Sequence, residues 1–334
     1  MTPVAALERV IHCLDRAQET GFKTKAFLRA LQTIRATAPA EIERRAKDAT
    51  LTGLEGIGDS SARVITEALN GTCTYLYKLE RETQVPISDE GSRYREALRG
   101  DCHLHSRWSD GGATPAAMAE AAISLGHDYI VLTDHSPRLT VAHGLSAERL
   151  REQLAEISEL NRSLSPFRIL TGIEVDILED GSLDHGDDIL EQLDVVVASV
   201  HSKLKMDSAL MTQRMLRAVR SPHVDILGHC TGRMIGKRDP SSFDAELVFA
   251  ACAESNTAVE INCRPERLDP PRALLAQAIE KGCWFAIDSD AHATGQLEWQ
   301  PLGCDRAAEC DVPLDRVINT FGADDLLRWA SART

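Results

Sequence analysis

The 334-residue sequence contains no apolar run near the ~20 residues that a membrane-spanning helix requires, so a membrane role is not expected. It also lacks a C-x-x-C pair. Its nine cysteines are scattered and odd in number, and reduced thiols in the cytoplasm are the expectation. The first residues carry Glu8 early and no apolar core of signal-peptide type. No internal repeat or low-complexity tract occurs. A basic excess is missing too: the formal net charge is -14, and it is unevenly spread. Residues 1–100 hold 15 Lys/Arg against 14 Asp/Glu, and the remainder holds 22 against 37. So acidic a segment repels nucleic acid unless bound cations or a local basic patch offset it.

What remains is an ordinary globular composition, 43% hydrophobic and 26% charged, over a length that favours about two domains. Residues 1–80 read as helices: Ala6, Val10, Leu14 and Ala17 recur at helical spacing, as do Phe22, Ala26, Phe27, Ala30, Leu31 and Ile34. In Glu55-Gly56-Ile57-Gly58-Asp59, two glycines flank an isoleucine in a tight turn before a further helix. A turn of this kind presents backbone N–H groups where a phosphate can be held, or merely packs two helices. Residues 81–99 are polar and turn-rich and read as a linker. From Gly100 onward, seven β-branched runs alternate with helical patterns, the runs ending near His105, Asp134, Glu174, His201, His229, Asn262 and Asp290. Near-continuous apolar strands imply a parallel sheet, and seven units without a break favour a closed barrel. Residues 314–329 read as a closing helix.

The strand ends carry the chemistry. His103 and His105 alternate back to one face, which suits two imidazoles gripping one ion. Asp134-His135, Glu174, His201, His229 and Asp290-Ala291-His292 follow at the ends of later strands. In β/α barrels that rim holds the active site, and so many ligand-type side chains on one rim point to a metal cluster. His143, in a loop near the rim, stays open; the remaining histidines fall in helices or loops.

These motifs, with Ser109-Asp110-Gly111 after the first pair, Gly172-x-Glu174 and Ser289-Asp290-Ala291-His292, resemble those of the polymerase-and-histidinol-phosphatase (PHP) family over roughly residues 100–300. The resemblance implies an α/β fold, a distorted (β/α)7 TIM-like barrel over residues 100–334, preceded by a small all-α helix-hairpin-helix domain. It implies three divalent ions (Zn²⁺, Mn²⁺ or Fe²⁺): one on His103, His105, Glu174 and Asp290; one on His201 and His229, bridged by Glu174; one on Asp110, His135 and His292. A metal-bound hydroxide would attack phosphorus, with Asp134 orienting a ligand or moving a proton. Residues 229–240 and 260–269 are similar to the PHP domain of bacterial family X DNA polymerases, although no polymerase palm fits between helices and barrel, and Cys230 replaces a proline usual in that branch.

Arg233, Arg238 and Arg267 are candidates for gripping substrate phosphate, or for rim salt bridges. Gly56, Ile57 and Gly58 are candidates for DNA contact. The expected activity is hydrolysis at DNA 3′ ends, as a 3′–5′ exonuclease or 3′-end phosphodiesterase or phosphatase. The alternatives are a phosphomonoesterase on a small metabolite, similar to histidinol phosphatase, and a non-catalytic DNA-binding module.

Overall fold

The computed structural model describes residues 1–19 and 21–332, which divide into two units, Met1–Val85 with Thr294–Gln296, and Pro86–Ala293 with Leu297–Thr334. Among the described residues, no helix is long and apolar enough to cross a membrane.

The first unit is helical: Pro3–Arg16, Phe22–Ala36, Pro39–Lys47, Asp59–Leu69 and Thr74–Thr83. Thr2 starts the first helix by accepting a hydrogen bond from the Ala5 N–H at 3.2 Å. Leu7, Val10, Leu14, Phe27, Ile34 and Ile65 close around one apolar core. Phe22 does not join it and is 97% exposed, since a helix's first residue can sit where no neighbouring element covers it. Ile57 is buried in that core, which fixes the turn between the two glycines. Gly56 adopts φ +84°, a conformation that favours glycine.

One acid in this unit titrates far from its usual range. Burial pushes the Asp15 carboxyl up from 3.8 to about 7. The folded state therefore holds a proton between about pH 4 and 7 that the unfolded chain releases, so stability declines across that window as pH rises. Asp15→Asn should remove this dependence and stabilise the helical unit at pH 8 by roughly 2 kcal/mol. Thermal melts of both proteins at pH 5 and pH 8 check it; parallel pH profiles would refute it.

The second unit is a parallel barrel: β1 (Gly100–Leu104), β2 (Tyr129–Leu132), β3 (Arg168–Asp176), β4 (Val195–Ser199), β5 (Ile226–Leu227), β6 (Ala258–Asn262) and β7 (Trp284–Asp288), paired in sequence order. The expected strands all form. Val195 pairs with Gly172, Ile226 with Val197, and Ala258 with Ile226, so the ladders run in step. Inside, Tyr129, Val131, Leu170, Val195, Val197 and Ala286 form an apolar floor. Leu104, Ile130, Leu132 and Ile169 face the helices outside. Gly172 stands where an added Cβ would lie 2.7 Å from the Val195 carbonyl, so only glycine lets β3 and β4 approach there.

Closure between β1 and β7 uses a few backbone bonds, Asp290 N–H to the His103 carbonyl (2.9 Å) and His105 N–H to the Ala291 carbonyl (2.7 Å). Side chains stitch the rest. Asn319 accepts from the Ile287 N–H at 2.7 Å and donates to the carbonyls of Gly100 and Ile287 and to Asp288. Gln300 donates to the same two carbonyls.

Two expectations need correcting. Within residues 81–99, Asp89–Ala97 is a helix of the barrel unit, capped by Ser88, whose N–H and hydroxyl both bond Asp305. Residues 314–329 are not one helix: short turns at Leu314–Arg316 and Ile318–Thr320 precede Ala323–Ser331. The break lets Asn319 reach the seam, which a continuous helix could not do.

Candidate metal centre

Period-two alternation builds the site. On β3, Leu170 of the floor is followed on the same inner face by Glu174 and Asp176; on β4, Val195 and Val197 lead to His201; from β2, Val131 leads to His135. On β6, Ala258 leads to Glu260 and Asn262, and from β7, Ala286 leads to Asp288 and Asp290. Each strand thus carries apolar side chains low in the barrel and polar ones at its C-terminal end.

All nine sequence-predicted ligand residues come together there. Glu174 is at the centre. Its Oε2 lies 3.4 Å from His103 Nε2, 3.6 Å from His105 Nε2 and 2.8 Å from His135 Nδ1; its Oε1 lies 3.2 Å from His201 Nε2 and 2.9 Å from His229 Nε2. Asp290 Oδ1 is 3.4 Å from His105 Nε2, and Asp110 Oδ1 is 3.4 Å from His292 Nε2 and 3.6 Å from His135 Nε2. The donor atoms form four overlapping groups: His105, Asp110, His135 and His292; His103, Glu174 and His229; His103, His105 and Asp290; His135, Glu174 and His201.

This donor set fits divalent cations. Both Glu174 oxygens, His201 Nε2 and His135 Nδ1 are buried without a hydrogen-bond partner, although nitrogens and oxygens crowd within 4 Å. Lone pairs facing lone pairs in a dry site are costly unless a cation lies among them. Mixed imidazole and carboxylate donors suit Zn²⁺, Mn²⁺ or Fe²⁺.

The electrostatics agree. Burial raises a carboxyl's pKa, but His201, His103 and His135 hold Glu174 well below the usual range. Burial, with His292 and His135 nearby, holds His105 well below the usual imidazole range. Burial likewise opposes charge on His201, yet Glu174 and Asp176 bring its pKa up to about 9. The centre is a balanced set of charges that a cation can enter by displacing protons.

Sequence reasoning missed the residues that orient the ligands. Glu260, fully buried, reaches His103 Nδ1 at 2.6 Å and accepts from the His229 N–H. Asp176 bonds His201 Nδ1, and Asn262 donates to Asp290 Oδ2 at 3.0 Å. The available signal was a carboxylate inside an otherwise apolar strand, as in Ala258-Val259-Glu260-Ile261. Partners of this kind fix ring orientation and basicity. Glu260→Gln should weaken metal affinity by about 10–100-fold while the protein remains folded; isothermal titration with Mn²⁺ checks this, and unchanged affinity would refute it.

Asp134 does not touch a ligand. Its carboxylate accepts from the backbone N–H groups of Ser106 and Ser109, from both hydroxyls and from Gln153 Nε2. With every acceptor position engaged it fixes the loop that carries Asp110, and a role in proton transfer is set aside. Arg233 spends Nε and Nη2 on the carbonyls of Arg267 and Leu268, and Arg238 bonds the Gly232 carbonyl, so both act on the backbone. Arg267 does line the centre, 3.4 Å from Asp290 Oδ2, together with Arg264, which reaches His292 Nδ1 at 3.0 Å. The cavity over the ligands measures about 260 Å³. His143 is exposed and outside it.

Residues 101–263 match the PHP domain family. The chain is 41% identical over 229 residues to the DNA polymerase/3′-5′ exonuclease PolX of Bacillus subtilis (strain 168), which covers 69% of this chain but only 40% of that protein's length. It is 31% identical over 206 residues to a protein named probable phosphatase from Thermoanaerobacter sp. (strain X514), covering 58% of this chain and 79% of the other. Among solved structures, histidinol phosphate phosphatase from Lactococcus lactis subsp. lactis Il1403, complexed with zinc, L-histidinol and phosphate, aligns with a TM-score of 0.46 at 19% identity, covering 63% of this chain and 94% of that one.

Proposed function

This chain belongs to the PHP domain family and is a metal-dependent phosphoester hydrolase, and from that premise we propose that it acts on the 3′ ends of DNA. The observation that carries the reading is its 41% identity over 229 residues to a protein named for 3′-5′ exonuclease activity, in a chain that also has a helical unit with a glycine turn. In that turn Gly58 precedes the helix Asp59–Leu69 and bonds Ser61 through its own N–H. The first N–H groups of any helix lack partners within it, and such groups suit a backbone phosphate.

In this reading the nine residues would hold three divalent ions, with Glu174 central among the donors. Such ions would supply Lewis acidity at the reacting phosphate. The chain's own groups do the rest. Glu260 and Asp176 hold His103 and His201 in register. Asp134 fixes the loop of Asp110. Arg264 and Arg267 place guanidinium charge beside the cavity, where it offsets phosphate charge that the acidic barrel would otherwise repel.

A second reading, a phosphomonoesterase acting on a small metabolite, is favoured by the acidity of the barrel and by the name of the Thermoanaerobacter relative. The two are separated by assaying the protein with Mn²⁺ or Zn²⁺ on 3′-labelled single-stranded DNA and on histidinol phosphate, each with a His103→Ala control. Release of nucleotides, lost in the control, supports the first reading; cleavage of the monoester alone overturns it. Gly58→Ala adds a test of the turn. An added Cβ there meets nothing within 4 Å, so the fold tolerates it while phosphate approach is narrowed.

A further inference from the structure

Beside the metal centre the loop after β5 curves around a second, open hollow. Residues 233–240 line a space of about 480 Å³, and Met234 borders both this hollow and the metal cavity. The loop is built rather than slack. Met234 N–H bonds the Arg238 carbonyl at 2.9 Å, the Arg238 N–H returns to the Met234 carbonyl at 2.8 Å, and the Ile235 N–H is pinned to the Glu266 carbonyl at 2.6 Å. Gly236, at φ +73°, makes the tip.

That frame holds up two side chains the fold itself does not use. Ile235 is 51% exposed, although an isoleucine at a fixed turn gains nothing for stability in water. Lys237 is exposed; its N–H closes the turn on the Met234 carbonyl at 2.9 Å, but its ammonium makes no hydrogen bond or ion pair among the described residues. With Arg233 and Arg238 it gives the loop three cationic side chains against one acid, Asp239, on a segment of the chain that is otherwise strongly acidic. An apolar platform next to an unpaired cation, touching a phosphoester-cleaving cavity, matches a ligand with a flat apolar face and an anionic link: a nucleotide in a strand.

We propose that this hollow seats the nucleotide adjoining the scissile phosphate of a single-stranded nucleic acid. The base lies on Ile235 and Met234, and the next phosphate along the strand meets Lys237. This rests on the DNA-end reading above and names the part of the chain that gives it substrate selectivity. A small monoester fills the metal cavity alone and gains nothing from the loop, whereas a strand spans both spaces.

The test compares wild type, Ile235→Ala and Lys237→Ala on two substrates with Mn²⁺ present: a single-stranded oligonucleotide and bis(p-nitrophenyl) phosphate, a diester with neither base nor second phosphate. Both side chains are solvent-exposed, so both variants should fold. The ratio of kcat/KM for oligonucleotide to that for the small diester should fall by about 5–10-fold in each variant, through KM. For Lys237→Ala, the salt dependence of the oligonucleotide KM should also flatten by about 0.7 in logarithmic slope, as for loss of one phosphate contact on a single strand. If wild type cuts the oligonucleotide and both variants keep its ratio and salt slope, the subsite is overturned and the DNA reading stands. If wild type cuts only the small diester, the DNA reading is overturned and the subsite with it.

Discussion

Glu174→Gln loses hydrolysis by about 10³-fold or more, together with part of the bound metal. The reason lies in the position of its two oxygens. One faces His103, His105 and His135 and the other faces His201 and His229, all within 3.6 Å. No single imidazole has that reach. Replacing a histidine removes one donor, but neutralising Glu174 removes the negative charge between two groups of imidazoles and replaces one lone-pair oxygen with an N–H that would repel a cation there. Volume is conserved and the residue rests on the Gly172 and Leu170 portion of β3, so the barrel should stay folded. Metal content of the purified variant and turnover of a chromogenic diester check this. Full metal content with near-normal turnover would contradict the central place given to this carboxylate.

Asn319→Leu costs about 4 kcal/mol of stability and lowers the barrel's melting temperature by roughly 10 °C. Asn319 is fully buried and touches no candidate ligand, so it acts by closing the seam. Its loss leaves the Ile287 N–H without its acceptor, and the Gly100 carbonyl and the Asp288 Oδ1 with one donor fewer. Leucine fits the volume but supplies no hydrogen bond, and each buried polar group left short costs about 1–3 kcal/mol. Because Asp288 ends β7 and Asp290 follows two residues later, metal affinity should weaken along with stability. Calorimetric melts and a metal titration check both effects; a melting temperature within about 2 °C of wild type would remove the seam argument.

How much of this could be read from the sequence differs between particular residues. The strands were legible because runs such as Val195-Val196-Val197-Ala198 are apolar on both faces, a pattern that only a strand covered on both sides explains. The ligands were legible because imidazoles and carboxylates recur where those runs stop. Glu260 was not, since one carboxylate in an apolar strand carries no sign of its partner; that the partner is His103, 157 positions away, is decided only when β6 and β1 share a barrel. The same holds for Asn319, whose role depends on a chain reversal that no local pattern marks. Arg233 misled for the opposite reason. Guanidinium near a phosphate site suggests a grip, but the carbonyls at Arg267 and Leu268 lie closer and take two of its donors.

The order of the strands has a consequence in time. Because β1 to β7 lie around the barrel in the order in which they are synthesised, each can pair with its predecessor as it leaves the ribosome, and only the first and last meet out of turn. The centre draws on both of those ends: His103 comes from the first strand and His105 from just beyond it, Asp290 and His292 from just beyond the last. A nascent chain with six strands made still lacks Asp290 and His292. A complete set of candidate ligands therefore exists only once residue 292 has been made, and products broken off before residue 290 lack two of the nine however well they fold.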